Sequence, residues 1–429
     1  MTSDEARECA TGSMNHAAYH ETSPGSRQVS LRLPITFICA LLFVFSASLA
    51  GAASENDAPP QRQFRTFSLH DSPNSADISP DEQMVVTEST SQIPTDDFAI
   101  VRKAEVVRIW NFREDRLAAE FRLPEVQVKA YPKYNSYQIR GADIVRYSPD
   151  GLAVIALIGR AIHVLSATDL REIRTIPLSV PAGMERDTQV RAMELSPNGG
   201  MAAVLWTMDL LHGRIDVYDL SSGVMTRSVD TPQGWIALSS SLAWDRDGKR
   251  LFIPIPNNFP CGAPDSEADI FALDAASGAI TPKLRTGLLA ESIAVIDGDR
   301  LVAVDANCLG VFRDRDPGLR VFDTSTHKRV RTIPGRTTGV RYTVSASADG
   351  TRFLAYTGTV KVRFDWSDMV ADDKVVDETF SVWNSADYAC IATSQNIAGL
   401  RASNLRLSAT GAYAISSGKA SYIYELPSK

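Results

Sequence analysis

Four histidines, three cysteines and two carboxylate-rich stretches are the residues from which a reactive site would have to be built beyond residue 52. His70, His163, His212 and His327 lie far apart, each in a strand-like or turn-like stretch where another polar side chain would serve equally. No Cys-x-x-Cys-His, His-Glu-x-x-His, Gly-x-Ser-x-Gly or phosphate-loop pattern occurs, so the spacings that gather metal ligands or pair a nucleophile with a base are absent. Asp314-Arg-Asp-Pro-Gly318 and the run Asp368 to Asp377 offer carboxylates of the calcium-binding kind, but solvated loops account for them better. The expectation is a chain with no catalytic residue, no metal ligand and no cofactor.

Composition is that of an ordinary globular protein and narrows the class of partner. The chain is 44% apolar and 22% charged, enough for a sizeable core, and its net charge is −7 with no long basic block. Phosphate-backbone binding needs such a block, so nucleic acid is not an expected partner. An unidentified protein is, and a monomer is expected.

Arg27 and Arg32 precede the uninterrupted apolar run Ile35 to Phe45, which gives way to the small residues Ser46 to Ala53. Ala50-Gly51-Ala52 fits a small-x-small cleavage site, which marks residues 1–52 as a secretory signal and Ala53 as the mature start. An uncleaved anchor is the alternative, since Ile35 to Ala53 is nearly long enough to span a bilayer. The polar stretch before Arg27 is long, which makes Met14 a second candidate start, and Cys39 lacks the small residue expected before a lipidated cysteine. Cleavage removes three basic and four acidic residues, leaving 41 against 47, a net of −6. A periplasmic or secreted protein without stable membrane insertion is expected.

The remainder is organised by two landmarks that alternate seven times. The first is a tight turn: Ser79-Pro-Asp81, Ser148-Pro-Asp-Gly151, Ser196-Pro-Asn-Gly199, Asp245-Arg-Asp-Gly248, Asp297-Gly-Asp299, Ser347-Ala-Asp-Gly350 and Ser408-Ala-Thr-Gly411. A Gly leaving the turn supplies positive φ without a Cβ clash. The second closes a strand with a bulky residue and a short polar one: Trp110-Asn111, Leu165-Ser166, Tyr218-Asp219, Leu273-Asp274, Phe322-Asp323, Trp383-Asn384 and Tyr424-Glu425. A period of about 50 residues with four strand-like segments predicts an all-β, seven-bladed β-propeller of four-stranded antiparallel blades, one domain over residues 53–429. An open solenoid or a β-sandwich is the structural alternative.

The last unit, Asn404 to Leu426, has three strand-like segments, while Gln63 to Leu69 alternates as a strand without a unit of its own. Strand 63–69 is therefore expected to complete the seventh blade with 404–426 and close the ring.

The units resemble WD40-like and YVTN-type bacterial propellers. Leu319-Arg-Val-Phe-Asp-Thr-Ser-Thr-His-Lys-Arg-Val-Arg-Thr-Ile-Pro-Gly335 is similar to the YVTN pattern of a strand ending in Asp, a Thr-rich turn and a strand ending Thr-Ile-Pro-Gly. The likeness is one of repeats and covers nearly all of the mature chain. No unit begins with the Gly-His pair of eukaryotic WD40 repeats, and Ser347 to Phe353 resembles the Asp box of sialidases without its spacing or Trp. The resemblance implies a binding or scaffold module. Two enzyme alternatives stay open: a subunit like the propeller chain of quinoprotein amine dehydrogenases, or a hydrolase or lactonase with a metal in the tunnel.

Propeller topology puts the short turns on one face and the second-to-third-strand and interblade connections on the other. The expected long loops are Ser91 to Lys103, Pro124 to Gly141, Val180 to Gln189, Asp230 to Ser239, Pro256 to Ala268, Asp305 to Gly318 and Gly358 to Glu378. Tyr131, Tyr134, Tyr137, Trp206, Trp235, Phe259 and Trp366 are the binding-face candidates, because aromatics on a rigid scaffold are the usual anchors of recognition. Packing of the loops on one another is the alternative role for each.

Cys261 and Cys308 fall in equivalent loops of adjacent units, Cys390 in a strand. A Cys261–Cys308 disulfide is expected in an exported protein, worth about 4 kcal/mol by loop-closure entropy, and two free thiols are the alternative. Peptide mapping of the unreduced protein is expected to recover the two peptides as one linked species; recovery of both as separate thiol peptides excludes the bond.

Overall fold

The computed structural model describes residues 64–427, apart from 70–72, 95–99, 130–142, 181–188, 209–210, 235–240, 257–267, 286–289, 298–299, 306–317, 335–339, 366–369, 396–403 and 418–420. Every element among the described residues is a β-strand or a turn. The strands form seven antiparallel sheets, and both landmarks fall where the repeat predicts. The third blade is typical, with Gln189–Leu195 innermost, then Met201–Thr207, Gly213–Asp219 and the outermost Val224–Asp230.

The six turns that lie wholly among the described residues are each locked by their own side chains. Ser148 Oγ donates to Asp150 Oδ1 at 2.6 Å and accepts the Ala153 N–H at 2.9 Å. Ser79, Ser196 and Ser347 repeat the pattern, and Asp245 substitutes for the serine by accepting the Arg250 N–H at 2.9 Å. In five units the short polar residue after the third strand is an Asx cap, as at Asp219, whose Oδ1 accepts the N–H groups of Ser221 and Ser222, both at 2.8 Å. The Ser221 hydroxyl, which donates to the same oxygen at 2.6 Å, and then these N–H groups hold the Asp219 carboxyl below the usual range.

The bulky residues bury between blades. Seven hydrophobic clusters each join one blade to the next around the whole ring, so the core is seven interfaces and not one centre. A four-stranded sheet with two apolar faces gains full burial only with a neighbour on each side. The fourth strands, with patterns such as eeeeBe over Glu172–Pro177, form the solvated rim.

Ring closure follows the expected route. Arg65–Ser68 pairs antiparallel with Tyr422–Glu425, Arg65 opposite Glu425 and Ser68 opposite Tyr422, completing the seventh blade as its outermost strand. Phe112 stands edge-on to both Phe67 and Tyr413, with ring centroids 5.3 and 5.5 Å away. Across the same junction Glu82 Oε1 accepts both the N–H and the hydroxyl of Thr410, at 3.0 and 2.7 Å. Glu82 itself takes φ 57° where the equivalent turns carry glycine.

Three expectations are corrected. Ser91 to Lys103 is not a long loop: Met84–Pro94 and Ile100–Asn111 pair as far as Pro94 opposite Val101. Gly358 to Glu378 is likewise a hairpin of Arg352–Asp365 with Val370–Asn384, which places the acidic run from Val370 onward in a strand. The alternation Thr-Val-Lys-Val-Arg-Phe over residues 359–364 has the two-residue period of a strand, which explains the extension. The first blade also departs from four strands, because Val126–Lys129, expected within the Pro124–Gly141 loop, pairs with Ile100–Lys103 as a fifth.

Removing residues 64–69 strips the seventh blade of its outer strand and the ring of the Phe67 contact. The melting temperature of the truncated protein, followed by circular dichroism, is expected to fall by about 10 °C or more; an unchanged melting curve excludes the closure.

Candidate functional site

The innermost strand of each blade runs along the ring axis, and its side chains alternate between the interblade cores and a central channel. Register across the sheets defines one equivalent channel position per blade, occupied in order by Asp77, Arg146, Glu194, Ala243, Ala294, Ser345 and Arg406. All seven line a cavity of about 800 Å³. At this position charge is confined to blades seven, one, two and three, where it alternates in sign, and blades four, five and six carry short neutral side chains; away from it Asp143, Arg191 and Arg246 also line the cavity.

The four charges form one network. Arg406 makes a two-pronged contact with Glu194, Nη1 to Oε2 and Nη2 to Oε1 both at 3.2 Å, and so links blades that are not neighbours in the ring. Its Nε lies 3.5 Å from Asp77 Oδ1, while Asp77 Oδ2 accepts the Tyr147 N–H at 2.9 Å. Arg146 Nη1 donates to the Val145 carbonyl at 2.7 Å and to Ser75 Oγ at 3.4 Å, and its Nε stands 3.8 Å from Glu194 Oε2. Burial opposes the charge of Arg406, but Glu194 and Asp77 outweigh it and raise its pKa. Burial, reinforced by Arg406, brings Arg146 down to about 10, which leaves it charged at neutral pH. Glu194 stays below the usual carboxylate range despite its burial because both guanidiniums face it.

Polar side chains also cap the inner strands. Ser75 Oγ accepts the Val145 N–H, Ser241 Oγ that of Ile293 and Ser292 Oγ that of Val344, at 3.2, 3.0 and 3.1 Å, each reaching from one blade to the next. Ser345 Oγ accepts the Leu407 N–H at 3.0 Å, the counterpart of the Asp77–Tyr147 contact.

Beside the end of the channel marked by Asn74 and Asp143 lies a buried carboxyl. Glu88 is fully buried; Asn74 Nδ2 donates to its Oε2 at 3.2 Å, and Thr90 Oγ1 lies 2.9 Å from its Oε1 and 3.0 Å from Asp143 Oδ2. The Thr90 hydroxyl has one proton and serves one carboxylate at a time. Burial first, then the charge of Asp143, pushes Glu88 up to about 8, against the pull of Thr90 and Asn74.

Most sequence-selected residues fall elsewhere. Tyr131, Tyr134, Tyr137, Trp235, Phe259 and Trp366, with Cys261 and Cys308, lie outside the described residues. Trp206 is described and corrects the expectation: it sits in the strand Met201–Thr207, 1% exposed, in the core between the second and third blades. Trp206 is therefore a packing residue, and Arg214 stacks over its ring at 5.9 Å. Cys390 is half-buried; burial raises its thiol, and Sγ lies 3.4 Å from Thr393 Oγ1. His163 does have a specific partner, its Nδ1 lying 2.6 Å from Glu172 Oε1. Among the described residues no group of three or more His, Cys, Asp or Glu side chains is arranged to hold a metal. The axial charges escaped the sequence reading, although one column of the repeat, two residues before the turn, holds the axial residue in six of the seven units and all four charges among them.

Glu88 supplies a pH test. A carboxyl that takes up its proton more tightly when folded contributes stability below its ordinary value and loses it as pH rises toward 8. Glu88→Gln copies the protonated form, and its loss of stability between pH 5 and pH 8 is expected to be smaller than the parent's by on the order of 2 kcal/mol in urea titrations; parallel pH profiles exclude the shift.

No family model matches the chain, and no curated protein does. Solved structures share its architecture. It is similar to a chain of the Kuenenia stuttgartiensis hydrazine synthase at 13% identity, covering 86% of this chain and 97% of that one, with a TM-score of 0.48. A chain in the crystal structure of a mitotic checkpoint complex aligns at 14% identity over 86% of this chain and 95% of that one, with a TM-score of 0.51. Chaetomium thermophilum Raptor aligns at 10% identity and a TM-score of 0.53, over 86% of this chain but 29% of its own length. At these identities the likeness to the latter two bears on the fold alone, and agrees with the seven-bladed β-propeller.

Proposed function

We propose that the protein is an exported, non-catalytic scaffold that binds another protein through its long-loop face. The observation that carries this reading is the pair of β-ribbons on that face. Residues 89–94 of the first blade and 360–365 of the sixth continue past the innermost strands, which end at Ser75 opposite Glu88 and at Val340 opposite Thr359. Six residues of strand add roughly 20 Å of rigid surface at each of two blades that flank the seventh. Surface of that kind, held by a closed ring, suits recognition of a macromolecule better than enclosure of a substrate. The similar chain in the mitotic checkpoint complex is itself part of an assembly, which supports a scaffold role.

Export rests on the apolar run Ile35 to Phe45 and the small residues that follow it. A metal-centred hydrolase in the tunnel fits poorly, because a cation there would have to displace Arg406 from Glu194 and sit beside Arg146. The YVTN-like unit around Leu319–Gly335 supports kinship with exported bacterial repeat propellers.

A pull-down from the periplasm or medium of the native host is expected to recover a protein partner with the parent chain. A Tyr131→Ala, Tyr134→Ala, Trp366→Ala variant with an unchanged melting temperature is expected to lose it, with affinity down about 100-fold. Undiminished recovery by the triple variant excludes this face.

A further inference from the structure

We propose that the axial channel binds a small organic carboxylate, received by the Nε edge of Arg146 and accommodated against the short side chains of the facing wall. This does not depend on the long-loop face, and either can fail alone.

Arg146 and Arg406 differ in what they have left to give. Arg406 is committed, with both terminal nitrogens on Glu194 and Nε beside Asp77. Arg146 commits only Nη1, to the Val145 carbonyl and Ser75. Its Nε is buried without a hydrogen bond, and the nearest carboxylate oxygen, on Glu194, stands 3.8 Å away and already serves Arg406. A guanidinium donor left open in this way is costly and invites an acceptor. Only a molecule entering the channel can bring one without breaking the Arg406–Glu194 pair.

The channel has room for it. Its volume of about 800 Å³ is in the range of small-molecule sites, and the space lies beside Ala243, Ala294 and Ser345. Ser345 uses its oxygen to accept the Leu407 N–H and keeps its own proton to donate.

Charge selects the class of ligand. The guanidiniums of Arg146, Arg191, Arg246 and Arg406 outnumber the three carboxylates of the lining and oppose a cation. Glu194, 3.8 Å from the open edge, repels a doubly charged phosphate more than a singly charged carboxylate. One planar carboxylate against one open guanidinium edge is the pairing that geometry prefers.

The test is calorimetric titration of the full chain at neutral pH with butyrate, inorganic phosphate and tetramethylammonium. Saturable binding of butyrate is expected, with phosphate at least about tenfold weaker and no heat from the cation. Arg146→Gln is expected to weaken butyrate at least about tenfold while leaving Glu194 paired with Arg406. Should that variant misfold, Arg146→Lys keeps the charge and the stem, loses the planar edge, and is expected to weaken butyrate severalfold. Absence of saturable butyrate binding at millimolar concentration overturns the proposal, as does phosphate binding more tightly than butyrate. Equal affinity of a folded Arg146 variant and the parent overturns it too.

Discussion

A β-sheet with two apolar faces cannot stand alone in water, and that constraint organises this molecule. Each blade lends one face to the blade before it and one to the blade after it, so seven interblade cores take the place of a single centre. The arrangement holds only if the first and last blades also meet. Here they meet twice over: the seventh blade borrows its outermost strand from the N-terminal side, and the Phe67–Phe112–Tyr413 stack fills the junction. Glu82 reinforces it from the turn face, holding Thr410 from a backbone conformation that glycine adopts in equivalent turns. A left-handed glutamate costs on the order of 1 kcal/mol, and a two-point contact across the junction offsets it.

What the sequence made legible were features with a local cause. A Ser-Pro-Asp-Gly turn closes its own hydrogen bonds, and an Asp or Asn after the third strand caps the next turn, so both can be recognised without knowing what surrounds them. The outer strand Arg65–Ser68 was legible by elimination, as a strand without a blade and a blade without a strand. Features that depend on distant neighbours were not. Trp206 follows an apolar run and precedes a break in the repeat, and only the fold shows that it faces the second blade and not solvent. The extensions of the first and sixth blades looked like loops because the repeat length, taken as a ruler, assigned their alternating residues to the gap between strands.

The axial residues were the least legible part, for a physical reason. Facing neither core nor bulk solvent, they follow no hydrophobic pattern. Asp77, Arg146, Glu194 and Arg406 come from four units up to 329 residues apart in the numbering, and nothing local links them. A second aligned column shows why polarity there is partly structural. Ser75, Ser241 and Ser292 cap inner-strand N–H groups of the following blade, groups that a parallel arrangement of blade edges around an axis leaves without a ladder partner.

That accounting separates what the fold needs from what it does not. Serine suffices as a cap, since Ser345 does for Leu407 what Asp77 does for Tyr147. A ring of seven short side chains would therefore close the channel's hydrogen bonds at less desolvation cost than four charges. Arg406, Glu194 and Asp77 repay part of that cost among themselves, through paired contacts at 3.2 and 3.5 Å. Arg146 does not: one of its nitrogens is satisfied by its own strand and by Ser75, and its Nε edge by nothing within hydrogen-bonding distance. Of the four axial charges it is the one that the architecture, as built, gives no structural reason to keep.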